Sequence, residues 1–97
     1  MIVHIVMFTF KEQNKRENIE KAKEMLLALR NTIDVLVSIE VGVNFDTAQR
    51  AMDLSLYSEF QTKEDLETYA VHPEHLKVVE FIKSVTEYSK VVDYVRE

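Results

Sequence analysis

The chain has 97 residues, 46% of them hydrophobic and 30% charged, with 17 acidic against 12 basic side chains. One hydrophobic core is what such a length supports, and the hydrophobic share describes a folded chain rather than a disordered one. A net charge of -5 argues against nucleic acid or an anionic membrane surface as partner, since both call for a basic face. With no cysteine in the chain, disulfides, thiolate nucleophiles and zinc–thiolate sites are excluded. The start, Met1-Ile2-Val3-His4-Ile5-Val6-Met7-Phe8, lacks the basic residues and cleavage site of a signal peptide, and no apolar run reaches the roughly 18 residues of a membrane helix. A cytoplasmic protein of one domain over residues 1–97 is expected, and at this size oligomerisation is a natural source of added stability.

Ile2 to Phe10 is short and β-branched and reads as a strand. Ile2, His4, Val6, Phe8 and Phe10 share one face, and Val3, Ile5 and Met7 the other. A strand apolar on both faces must be covered on both, one side by helices of the chain and the other by a second subunit. Asn14 with Glu17 has capping-box spacing, with the Asn side chain expected to accept a first-turn amide. Ile19, Ala22, Met25, Leu26, Leu29 and Ile33 then recur at helical spacing, with Glu17 and Lys21 four apart on the exposed side. This helix should fade near Asn31 or Thr32.

Val35 to Phe45 alternates as a second strand, in which Gly42 marks a bulge or a close contact. After a polar connection, Met52, Leu54, Leu56 and Phe60 set the period of a third strand. Thr62 with Asp65 opens a short helix carrying Leu66 and Tyr69. Pro73 disfavours helical geometry at His72 and suits the first turn of a new helix, whose buried stripe is expected at Leu76, Val79, Ile82 and Val85. Tyr88 to Val95 closes the chain as a strand. The order β-α-β-β-α-α-β is an α+β, ferredoxin-like split β-α-β with an antiparallel sheet and helices on one face. Its open, apolar face predicts a face-to-face homodimer.

The segment Tyr69-Ala70-Val71-His72-Pro73-Glu74-His75 holds the only proline and two of the three histidines. In the first turn of the last helix His75 meets the positive end of the helix dipole, which disfavours an imidazolium and leaves a ring suited to general-base work. Glu74 opposes this shift. Six residues on one unbroken helix turn the chain by about 240°, so Tyr69 and His75 can share a pocket only because of the break at His72-Pro73. A phenol beside an imidazole can position a carbonyl or enolate oxygen while the imidazole moves a proton. The plainer alternative is that His72 caps the helix, Pro73 starts it and Tyr69 packs in the core. His4 is ordinarily a core histidine with a hydrogen-bond partner, but on a helix-facing strand face it reaches the same cavity as His75. The proline between His72 and His75 spoils the regular helical presentation a transition-metal site needs, a weak hard-cation site beside Glu74 stays open, and a chain with one glycine has no phosphate-cradling loop.

These residues carry a family resemblance over nearly the whole length. His4-Ile5-Val6-Met7-Phe8, Ser38-Ile39-Glu40-Val41-Gly42-Val43-Asn44, Ser58-Glu59-Phe60, Tyr69 through His75 and Val92-Asp93-Tyr94 together resemble the stress-responsive α/β-barrel domain family, the Dabb proteins of the dimeric α+β barrel superfamily. The resemblance implies a protomer whose sheet packs on its twin to form a barrel, and no cofactor. Some plant members are stress-induced. Others resemble cofactor-free polyketide cyclases, in which a histidine and a tyrosine promote an aldol-type ring closure. The matching positions here are His75 and Tyr69, with His4 matching a further cavity residue. Two departures are visible: Ile33-Asp34-Val35-Leu36 replaces the Pro-Gly turn common before the second strand, and Leu54 stands where cyclase-like members project a histidine. The resemblance thus implies either an enzyme acting on a small carbonyl-bearing or polyketide-like molecule through His75, Tyr69 and His4, or a non-catalytic dimer that binds a small apolar ligand or protects under stress.

Overall fold

The computed structural model describes residues 1–97. In chain order it contains β1 (Ile2–Phe10), α1 (Lys15–Ala28) with a 3-10 turn (Leu29–Asn31), β2 (Ser38–Val43), β3 (Leu54–Phe60), α2 (Lys63–Val71), α3 (Pro73–Val85) and β4 (Thr86–Val95). The strands form one sheet in the order β2-β3-β1-β4, with every pair antiparallel. This is the ferredoxin-like α+β architecture expected from the order of elements.

Register decides which side chains face the helices. His4 stands opposite Ser58 on β3 and Asp93 on β4, and Val6 opposite Leu56 and Val91. The helix-facing side therefore carries Ile2, His4, Val6, Phe8 and Phe10 of β1, as the alternation predicted. It closes on α1 and α3 through a core that includes Phe10, Leu26, Leu29, Ile33, Leu36, Leu54 and Phe60. The opposite side of the sheet carries no helix. Met7, Tyr88, Val92 and Tyr94 lie on it and are all exposed.

Several local expectations were displaced. Asn14 precedes α1 with φ of 53° and makes no side-chain cap bond; the left-handed backbone, which Asn tolerates, turns its amide away from the first turn. Its carbonyl still accepts the Asn18 N–H at 2.9 Å. Lys21 lies over the Phe81 ring at 4.6 Å rather than pairing with Glu17. Strand β2 begins at Ser38, not Val35, because a turn closed by the Leu36 N–H on the Ile33 carbonyl (3.1 Å) drops Leu36 into the core. Gly42 marks no bulge: an added Cβ would meet nothing nearer than Ser55 Oγ at 4.0 Å. The irregularity lies instead at Thr9/Phe10, where β1 shifts register against β4. There the Asp53 carboxylate accepts the Phe10 N–H at 2.7 Å.

The expected stripe of α3 was rotated. Val78 and Ile82 are its buried residues, and Leu76 is exposed. Ile82 and Val85 of the expected stripe do meet the core, joined there by Val78 and Phe81, while His75 and Val79 line the cavity beside it.

The outer sheet face also carries a polar network that the sequence did not announce. Glu59 accepts from Ser38 Oγ at 2.6 Å, from Tyr57 Oη at 3.2 Å and from the Arg96 guanidinium, which also donates to Tyr57 Oη at 2.7 Å. These hydrogen bonds hold the Glu59 carboxyl below its usual range, Ser38 having the largest effect and Arg96 the next.

Candidate functional site

The site is built on the interruption between α2 and α3. Thr62 caps α2 by accepting the Asp65 N–H at 3.0 Å, as its spacing predicted. After nine residues the helix stops at His72, whose extended backbone (φ -62°, ψ 135°) is what a following proline imposes. His72 then caps α3, its Nδ1 accepting the Glu74 N–H at 3.1 Å, and Pro73 fills the first helical position. The capping role foreseen for His72 is thus realised.

That cap fixes His75. In an unbroken helix the Ala70 carbonyl would accept the Glu74 N–H, but here Glu74 gives its N–H to His72. The His75 ring takes its place, with Nδ1 lying 3.0 Å from the Ala70 oxygen. A carbonyl only accepts, so Nδ1 carries the proton and Nε2 keeps its lone pair. Burial pushes the His75 pKa down, the Ala70 bond opposes it, and His4 and His72 push it down further. The neutral, proton-accepting form is favoured. Glu74, expected to counter this, is instead paired with Lys77 at 2.9 Å.

Tyr69 packs against His75 with ring centroids 4.2 Å apart, against Phe60 at 5.0 Å, and edge-on to His4 at 6.3 Å. It is 1% exposed, and its hydroxyl is buried without a hydrogen-bond partner. Burial raises its pKa, so it remains a phenol. His4 donates from Nδ1 to the Asp93 carboxylate across the β1–β4 ladder, which leaves its Nε2 free of that contact. His4, Tyr69 and His75, from β1, α2 and α3, are therefore brought into one cluster.

A cavity of about 270 Å³ opens beside them, between α3 and the helix-facing side of β1 and β4. His4 and His75 line it at one end, and Val6, Phe8, Leu56 and Val78 form its apolar wall. Tyr69 is not among its lining residues; it stands behind the two imidazoles. Leu54 is buried in the core and adds no polar group to the cavity. A wider depression of about 480 Å³ under the β2–β3 loop has no histidine or tyrosine in its wall. No three His, Cys, Asp or Glu side chains are grouped to hold a metal ion.

The sequence did not assign Asp93 or the Ala70 carbonyl to the site. Asp93 alternates with Val91 and Val95 on one face of β4, but only the β1–β4 register places that face against His4. Ala70 contributes a backbone oxygen, to which no residue type could point.

Residues 2–96 match the model of the Stress responsive A/B Barrel Domain. The chain belongs to this family. A stress-response A/B barrel domain-containing protein of Arabidopsis thaliana is 30% identical over 98 residues, covering all of this chain and 37% of that protein. A second family protein from the same plant is 43% identical over 42 residues, 43% of this chain and 20% of that one. The chain thus spans well under half the length of the curated relatives it matches.

Among solved structures, a dimeric ferredoxin-like protein of unknown function from Bacteroides fragilis superposes with a TM-score of 0.86 at 33% identity, covering 96% of this chain and 93% of that one. A hydroxynitrile lyase from Passiflora edulis superposes with a TM-score of 0.88 at 20% identity, covering 99% and 93%; at that identity it shows the fold alone. No helix of the chain is long and apolar enough to cross a membrane.

Proposed function

We propose that this stress-responsive A/B barrel chain is a cofactor-independent enzyme acting on a small, carbonyl-bearing, partly aromatic or polyketide-like molecule in the cavity beside α3. The observation that carries the proposal is the state of His75. Its Nδ1 proton is committed to the Ala70 carbonyl at 3.0 Å, its pKa is depressed by burial, and it lines an apolar cavity with Nε2 left to accept a proton. That is the condition of a general base at neutral pH. His75 would take a proton from the carbon next to the ligand's carbonyl and return it to carbon or oxygen as the reaction closes.

His4, held by Asp93, is the assistant: its free nitrogen accepts from a ligand hydroxyl or, once protonated, donates to an oxygen. Tyr69 is the oxygen-positioning donor. Its hydroxyl has no acceptor in the chain, and because Tyr69 does not line the cavity wall, a shift of the His4 or His75 ring on ligand binding would be what opens it to a ligand oxygen.

The enzyme would work as a cytoplasmic homodimer joined through the outer sheet face into an α+β barrel. Support comes from the exposed Met7, Val92 and Tyr94 on that face and from solved relatives described as dimeric. A second reading, a dimer that binds a small apolar ligand or protects under stress without catalysis, draws on the same turn. His72 and His75 both satisfy backbone groups there.

The deciding experiment follows the His75 imidazole resonance by NMR across pH and against a library of small aromatic carbonyl compounds. A depressed pKa that moves when one compound binds is the expected result. A ring that titrates like a free histidine and ignores every compound would overturn the enzymatic reading in favour of the structural one.

A further inference from the structure

Charge is unevenly distributed around the cavity. The chain as a whole carries a net charge of -5, yet no carboxylate lines this wall; its titratable side chains are His4, His75 and Lys83. The lysine sits on the row of α3 that carries His75, Val78, Val79 and Ile82. Eight residues along an α-helix span about 12 Å, so Lys83 marks the end of the cavity opposite the histidines. It enters none of the chain's ion pairs. From β4 the same cavity is lined by Ser89, opposite Phe8 in the ladder. Ser89 is exposed, and its hydroxyl is available as a second donor. Thr86 lies nearby, but its hydroxyl donates to the Ile82 carbonyl at 2.8 Å.

The cavity is therefore graded along its length, from imidazoles through an apolar middle to a lone cation, with the Ser89 hydroxyl also on its wall. We propose that Lys83 and Ser89 select ligands carrying a carboxylate at the end remote from the reacting carbonyl, so that the natural ligand is an apolar or aromatic keto acid. A volume of about 270 Å³ suits one ring with short substituents, a dry cavity of about 150 Å³ being enough for benzene. An aliphatic wall gives such a ligand affinity but no direction, whereas a single charge at one end fixes which end meets His75. The inference rests on the cavity being the working site.

Its test titrates the full chain with 4-acetylbenzoate and with the uncharged methyl 4-acetylbenzoate, reading affinity by calorimetry and site occupancy by the His75 imidazole resonance. The acid is expected to bind the native chain roughly fivefold tighter than the ester, the size of one solvent-exposed charge pair. Lys83→Met should abolish that preference by weakening binding of the acid, and Lys83→Arg should keep it. Added salt should shrink it. If both compounds shift His75 but bind equally well, or the preference survives in Lys83→Met, the role of Lys83 is overturned and the site itself stands. If neither compound shifts His75, both fall together.

Discussion

The rings of Tyr69 and His75 lie 4.2 Å apart, centroid to centroid, although the chain between them ends one helix and begins another. On a single helix the two side chains would point about 120° apart. The break at His72-Pro73 turns them together and leaves the Ala70 carbonyl to orient the imidazole. One proline thus sets both the position and the tautomer of the candidate base.

Replacing His75 by alanine should reduce turnover by roughly 10²- to 10⁴-fold, the range of a general base, while leaving the association state intact. Steady-state rates with the compound that shifts the His75 resonance, alongside light scattering, would check this. Unchanged turnover would remove His75 from the chemistry.

Acid should act through the same ring. The folded-state pKa of His75 lies below its ordinary value of 6.5, so the neutral base is intact at pH 7 and activity falls only as pH drops through the depressed value. The unfolded chain takes up this proton first. The contribution of His75 to stability is therefore present above pH 6.5 and is lost as pH falls. A pH–rate profile whose acid limb lay above 6.5 would contradict the burial described.

Tyr69→Phe separates stability from function. Removing a buried hydroxyl that has no partner should leave the fold equally stable or stabilise it by about 1 kcal/mol. Turnover should fall if the phenol positions the ligand's oxygen. Thermal melting and rates on the same preparation would show whether the two move in opposite directions.

His72→Ala should cost about 1 kcal/mol, because the Glu74 N–H loses the side-chain acceptor that caps α3, and His72→Asn should recover most of it. Denaturant midpoints at constant slope would read both effects.

Met7→Glu and Val92→Glu place a charge on the exposed, helix-free sheet face. In a face-to-face dimer each should produce monomers and remove the concentration dependence of the melting temperature. Sedimentation of native and variant chains over a wide dilution series would decide it.

The sequence by itself determined the elements and their faces. Alternation in Ile2–Phe10 set His4 on one face with Ile2, Val6 and Phe8, and the Thr62 and His72-Pro73 signals set where α2 and α3 begin. All of these depend on neighbours within a few residues, where period and capping chemistry are written directly in the chain. The partnerships were left to tertiary structure. Asp93 meets His4 across 89 positions and Arg96 meets Glu59 across 37; those pairs exist because β4 and β3 flank β1 in one particular register. The rotation of α3 that exposes Leu76 and buries Val78 was likewise set by how the helix seats on the sheet. Apolar spacing admits more than one seating, and burial of Val78 and Ile82 in the common core selected this one.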